Sequence, residues 1–283
     1  MLTRGPSVYL RLGRVSNLPT VWTNVVAGAA LSGAAPGAGT LVALAVALSA
    51  FYVGGMYLND GFDRDIDARE RPERPIPAGL VSARRVFTIG FGLLAFGLAG
   101  VAGVSARPAP LVAGVALAGT IVLYDVWHKA NPLSPVIMGL CRVLVYLTAA
   151  LAVSGRLATP VLAGAACLLA YLIGLTYVAK HENKPLVART WPLVGLAAPV
   201  VYAATGRGWP AAAALAAWIV VAVRLLRSQA PKRIPRAVSS LIAGISLVDA
   251  ALLARNGASV TVVVIVALGC VATRLCQRYV PGT

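Results

Sequence analysis

Six of the nine acidic residues in this chain fall between positions 60 and 73: Asp60, Asp63, Asp65, Asp67, Glu70 and Glu73. They follow an apolar block directly, in the stretch Tyr57-Leu58-Asn59-Asp60-Gly61-Phe62-Asp63-Arg64-Asp65-Ile66-Asp67. If a helix continues out of that block, Asp60, Asp63 and Asp67 stand at i, i+3 and i+7, on one face. Carboxylates so placed repel one another unless a cation sits between them. Hard oxygen donors of this kind suit Mg²⁺, which keeps several waters and takes one or two carboxylates together with substrate phosphate oxygens. Asn59 adds a neutral carbonyl to the set. The competing reading is a solvated loop whose acids pair with Arg64, Arg69, Arg71 and Arg74. Location favours chemistry, because these acids begin where an apolar span ends, in a chain nearly free of acids elsewhere. An ionisable group at membrane depth costs about 2.5–3.5 kcal/mol on insertion scales and marks function by default.

The elements that hold these residues are membrane spans. The chain has 283 residues, 59% hydrophobic and only 12% charged, against about 45–50% and 25% in soluble domains. A soluble enzyme, a disordered regulator and a secreted disulfide scaffold are excluded. Apolar blocks, most near the roughly 20 residues that cross a bilayer as helix, run over 18–35, 40–58, 85–104, 109–126, 135–153, 159–178, 190–205, 209–226, 237–254 and 258–276. The seventh block carries Pro192 and Pro199, so nine spans compete with ten. Arg4, Arg11 and Arg14 precede the first block, which reads as an uncleaved first span. With a cytoplasmic N-terminus, 20 of the 25 Lys and Arg fall on the cytoplasmic side, as the positive-inside rule expects. Opposite loops hold Arg107, Arg156, Arg207 and Arg255, and Arg142 lies within a span. The net charge of +16 therefore reads as topology, not as nucleic-acid binding. Cys141, Cys167, Cys270 and Cys276 sit in apolar blocks without metal-ligand spacing and read as packing residues.

Asn59-Asp60-x-x-Asp63-x-x-x-Asp67 resembles the first aspartate-rich motif, N-D-x-x-D-x-x-x-D, of the UbiA superfamily of intramembrane prenyltransferases. Downstream, Arg71-Pro72-Glu73-Arg74-Pro75-Ile76-Pro77-Ala78-Gly79 is similar to the R-P-x-R-P-[IL]-x-x-G that follows it in that family. Upstream, Arg11-Leu12-Gly13-Arg14-Val15-Ser16-Asn17-Leu18-Pro19-Thr20 and Asn24 are similar to the family's approach to its first span. The resemblance implies one all-α transmembrane bundle over 1–283, with nine or ten spans around a central cavity. It implies Mg²⁺ held by Asp60, Asp63 and Asp67, an isoprenoid diphosphate as donor, and transfer of its prenyl group to an aromatic or lipid-like acceptor. Asn59 and Arg74 are carried over as substrate-binding residues. After the fourth span the family has Y-x-x-x-K. Here Tyr124 is followed by His128 at the lysine position and Lys129 one residue later. Lys129 is the expected leaving-group cation, and His128 reads equally as a further phosphate donor or as an interfacial surface residue.

The departure comes after the sixth span, where the family has a second motif, D-x-x-x-D. Here the segment is Lys180-His181-Glu182-Asn183-Lys184. Lys180 and Glu182 are the candidate substrate contacts there, and lysine can bind phosphate as a point charge. The missing aspartate pair sustains a second reading, an isoprenoid-lipid binding or transport protein of the same fold. A secondary transporter fits less well, since transporters place ionisable groups near the midplane. A CDP-alcohol phosphotransferase needs a D-G-x-x-A-R that Asp60-Gly61-Phe62-Asp63 does not continue. Arg142 reads equally as a diphosphate contact or a structural partner. Asp125 is expected to face the cavity, and Asp249 to make a buried hydrogen bond to a neighbouring helix.

Overall fold

The computed structural model describes residues 6–129, 131–180, 194–227 and 233–282, and among these every regular element is helical. In chain order they are α1 (Pro6–Leu12), α2 (Leu18–Leu31), α3 (Ala38–Phe62), α4 (Arg64–Glu70), α5 (Ala83–Val104) and α6 (Pro108–Trp127). The chain continues with α7 (Ser134–Ser154), α8 (Thr159–Lys180), α9 (Val194–Ala204), α10 (Trp209–Arg227), α11 (Arg233–Arg255) and α12 (Val260–Cys276). Local sequence sets the ends. Proline occupies the first turn of α2, α6 and α7, where its missing N–H costs nothing. The hydroxyls of Ser82 and Ser259 accept the backbone N–H of Arg85 and Val262, capping α5 and α12.

All ten apolar blocks coincide with a helix, but their lengths differ. Among the described residues, seven helices are long and apolar enough to cross a bilayer: α3, α5, α6, α7, α8, α10 and α11. Within the described residues α2 and α12 have 14 and 17 residues, about 21–26 Å at 1.5 Å per residue, short of a hydrocarbon core near 30 Å, and α9 has 11 from the point where the described residues resume. Length and composition thus show seven spans among the described residues.

Burial separates the helices by position. The most apolar window of α11 is 78% buried, against 22% for α10 and 28% for α5. Thus α11 is enclosed by its neighbours, while α5 and α10 present apolar side chains such as Phe96 and Val221 outward. Two of the apolar clusters carry most of the core. One joins α2, α3, α5, α6 and α7 through Val25, Leu48, Phe51 and Leu117; the other joins α2, α7, α8, α9, α10, α11 and α12 through Leu31, Tyr146, Tyr171, Leu241 and Val266. The α2 and α7 helices belong to both and form the seam. Their close crossing depends on Gly28, where a Cβ would lie 2.6 Å from the Tyr146 carbonyl oxygen.

Candidate active site

At its last turn α3 passes almost without interruption into α4. Asp63 is a single turn residue between them. Its N–H donates to Asn59 O at 3.0 Å, and its own carbonyl accepts Asp67 N–H at 2.8 Å. The expected continuation of the helix holds, and Asp60, Asp63 and Asp67 are all buried. Each carboxylate has cationic partners. Asp60 Oδ1 lies 3.3 Å from Arg14 Nη2 and 3.1 Å from Arg74 Nη1, and Arg74 also reaches Asp67 Oδ2 at 3.1 Å. Asp63 Oδ2 lies 3.5 Å from both His128 Nε2 and Lys129 Nζ.

Backbone turns deliver these cations. Bonds from Arg74 N–H to Arg71 O (3.0 Å) and from Ala78 N–H to Arg74 O (2.9 Å) fold the 71–79 segment back on itself. Arg14 has φ 42 and ψ 44, the one left-handed non-glycine residue among those described. That conformation costs about 1–2 kcal/mol, and it sits at the turn between α1 and α2, where Arg14 meets Asp60 and Asn59. Backbone strain of this kind gathers at functional sites. Burial works against the Asp63 carboxylate, but the contacts of His128 and then Lys129 outweigh it and hold its pKa below the usual value. Asp67 goes the other way: burial raises it, and neighbouring Asp63 and Asp60 add to the rise against the pull of Arg74.

The end of α6 supplies the adjoining wall. Tyr124 stacks on His128 with ring centroids 4.8 Å apart. Asp125 is 4% exposed, and its Oδ1 accepts Asn59 Nδ2 at 3.3 Å. Among the described residues Asp125 Oδ2 and His128 Nδ1 are buried without a hydrogen-bond partner. Both residues line a cavity of about 560 Å³. Its mouth is polar, with Arg14, Asp63, Arg74 and Lys129, and its inner wall is apolar, with Phe51, Leu117, Ile121 and Leu175. A second recess of about 470 Å³ adjoins it, sharing Arg14, Arg71 and Arg74 and exposing Asp60. Asp67 lines neither; Arg74 lies against it.

Farther along the cavity wall, α2, α7 and α11 share a polar chain. Arg142 donates to Asn24 Oδ1 (3.0 Å) and Thr20 Oγ1 (3.1 Å), and its guanidinium lies 5.1 Å from the Tyr52 ring centre. Asn24 Nδ2 donates to Asp249 Oδ1 and Oδ2 at 3.1 and 2.9 Å, and Tyr146 OH donates to Oδ1. Asp249 is fully buried and holds neighbouring helices as expected.

The structure thus gathers Asn59, Asp60, Asp63, Asp67, Arg74, Tyr124, His128 and Lys129 at one end of the bundle, with Arg142 deeper in the same cavity. Glu182 lies outside the described residues, as does the side chain of Lys180, whose backbone ends α8. Sequence reasoning did not put Arg14, Asn17 or Tyr52 in the site. Arg14 and Asn17 do lie within the upstream segment that carries the family resemblance. Asn17 donates to Tyr52 OH (3.1 Å) and to Gly282 O (2.9 Å), and it lines the mouth.

No three Asp, Glu, His or Cys side chains among the described residues form a group that could hold a metal by themselves. The donors present instead suit Mg²⁺ bridged to phosphate, since that ion takes few carboxylates and completes its shell with water and phosphate oxygens. Asp63 opens onto the cavity and Asp60 onto the recess.

Comparison with known proteins gives the family and the fold. The family model described as "UbiA prenyltransferase family" matches residues 20–185. A digeranylgeranylglyceryl phosphate synthase of Ignicoccus hospitalis is 38% identical over 117 residues, 41% of this chain and 36% of that one. The chain thus spans only about a third of the curated relatives it matches. A solved structure described as giving insights into digeranylgeranylglyceryl phosphate synthase in membranes superposes with a TM-score of 0.62 at 20% identity, over 88% of this chain and 97% of that one. A UbiA homolog from Archaeoglobus fulgidus, bound to DMAPP and Mg²⁺, has a TM-score of 0.53 at 18% identity, over 95% and 85%. At these identities the two structures speak for the fold.

Proposed function

This chain belongs to the UbiA prenyltransferase family, and from that premise we propose that it is an Mg²⁺-dependent prenyltransferase acting on an isoprenoid diphosphate and a hydrophobic acceptor. One observation carries the reading: buried aspartates and cations stand at the mouth of a cavity whose inner wall is apolar. Asp60 and Asp63, with Asp67 behind them, would hold the metal, which supplies charge to the diphosphate oxygens as the allylic carbon–oxygen bond ionises. Lys129, His128 and Arg74 donate to the departing diphosphate, and Asn59 and Tyr124 border it. Arg142, Lys180 and Glu182 are further candidate contacts. Apolar side chains hold the prenyl tail and keep water from the allylic cation. The relatives' product carries geranylgeranyl groups on glyceryl phosphate, so a free hydroxyl of a prenylated glyceryl phosphate is the acceptor we favour. The positive-inside distribution supports a mouth on the cytoplasmic side, and the apolar blocks support a bundle of nine or ten spans.

The test uses the full chain in lipid nanodiscs with geranylgeranyl diphosphate and geranylgeranylglyceryl phosphate. The expected result is a digeranylgeranyl product formed with Mg²⁺ and lost with chelator. Binding of the diphosphate without transfer to this or any acceptor in native membranes would favour the carrier reading, which the missing aspartate pair at 180–184 supports. No binding at all would reject both.

A further inference from the structure

We propose that Asp125 receives the acceptor: its free Oδ2 takes the hydrogen bond of the reacting hydroxyl and then its proton. The inference rests on the prenyltransferase reading above. It starts from the two buried carboxylates that line the cavity. Asp63 is met by His128 and Lys129, each at 3.5 Å. Among the described residues Asp125 has no cation within ion-pair distance, its Oδ1 takes only the neutral amide of Asn59, and its buried Oδ2 takes no donor, so that a turn of the carboxyl group into the cavity Asp125 lines brings Oδ2 to a ligand. A buried carboxylate oxygen without a donor is costly unless a ligand supplies one.

Its position fits that ligand. On α6, Ile121 and Leu117 lie one and two turns inward from Asp125 and belong to the apolar wall, while His128 and Lys129 lie outward at the polar mouth. On the adjoining α3, Asn59 sits beside Asp60, with Gly55 and Phe51 one and two turns inward. Asp125 therefore marks the level where polar lining gives way to apolar. A diphosphate among Asp63, His128 and Lys129, with its chain running inward, passes its allylic carbon through this level. There the acceptor oxygen bonds to the allylic carbon as the carbon–diphosphate bond breaks. The diphosphate leaves with that electron pair, and the hydroxyl proton passes to Asp125 Oδ2. Asn59, one residue from Asp60, holds the other carboxylate oxygen and fixes the acceptor relative to the diphosphate.

The experiment compares the full chain with Asp125→Asn and Asp125→Ser in nanodiscs, using geranylgeranyl diphosphate, Mg²⁺ and geranylgeranylglyceryl phosphate. Calorimetry should give a diphosphate affinity in both variants within about 3-fold of the parent, while transfer falls about 100-fold or more, the range for loss of a proton-accepting group. Release of diphosphate to water without acceptor should be undiminished. Asn preserves shape and removes a buried charge, and Ser serves if Asn folds poorly. Transfer within about 5-fold of the parent overturns the inference. So does a loss of diphosphate affinity as large as the loss of transfer, which would put Asp125 with the metal and diphosphate. A parent that binds and ionises the diphosphate yet alkylates no hydroxyl also overturns it, leaving the donor half of the function standing. A parent that binds no diphosphate overturns the underlying reading, and the inference with it.

Discussion

The aspartate cluster at the cavity mouth and the Asp249 network between α2, α7 and α11 use the same residue types and are finished differently. Both oxygens of Asp249 accept hydrogen bonds, from Asn24 and Tyr146, and the side chain is sealed from the cavity. At the mouth, Asp63 is shared between two side chains at the long limit of ion pairing, Arg74 is divided between two carboxylates, and Asp125 Oδ2 has no donor. A saturated polar network rigidifies a fold. An unsaturated one beside a cavity keeps bonding capacity for something that arrives later. The same element, a carboxylate buried in a membrane bundle, therefore reads as structure or as chemistry according to its leftover valence.

Substitutions can break this contrast or sharpen it. The largest effect is expected for Asp63→Ala: transfer should fall about 10³-fold, the several kcal/mol of charge stabilisation a metal site supplies, with an unchanged melting temperature. Turnover assays paired with melting curves check it, and near-normal turnover would end the assignment. Asp249→Ala should do the reverse. It leaves Asn24 and Arg142 without their buried counter-charge and should lower stability by about 3 kcal/mol, while the folded fraction still binds geranylgeranyl diphosphate with Mg²⁺. Denaturation in detergent reads the first effect and calorimetry the second; a stable variant without affinity would erase the distinction. Gly28→Ala should cost about 1–3 kcal/mol by overpacking the seam against Tyr146, with both networks weakened in proportion to unfolding. Tyr52→Phe should be mildest, at about 1 kcal/mol or less, since it removes one hydrogen bond from Asn17 and keeps the ring beneath Arg142.

Much of this was legible in the sequence for a physical reason. Hydrophobic blocks must become helices in lipid, because no other open backbone satisfies its own hydrogen bonds there. Acids were so scarce that Asp60, Asp63 and Asp67 stood out, and their helical spacing survived the turn at Asp63. Contacts between distant segments were not legible. Arg14 meets Asp60 across 46 positions and Asn24 meets Asp249 across 225, and neither pairing leaves a local pattern. Nor does hydropathy report the left-handed backbone at Arg14, which sets its approach to Asp60. Window averages likewise concealed how short α2 is, since the flanking Ala34 and Ala35 score as apolar.

The way Arg14, Arg74 and Lys129 already oppose Asp60, Asp63 and Asp67 makes the mouth close to electroneutral on its own. A divalent cation alone overshoots that balance, and a diphosphate anion alone undershoots it. The two together nearly restore it. Metal and diphosphate should therefore bind as a thermodynamically linked pair, each raising the affinity of the other by the same factor. Weak Mg²⁺ binding by the unliganded protein would then be a property of the site, and the resting protein would be shielded from stray divalent ions until an anionic ligand arrives.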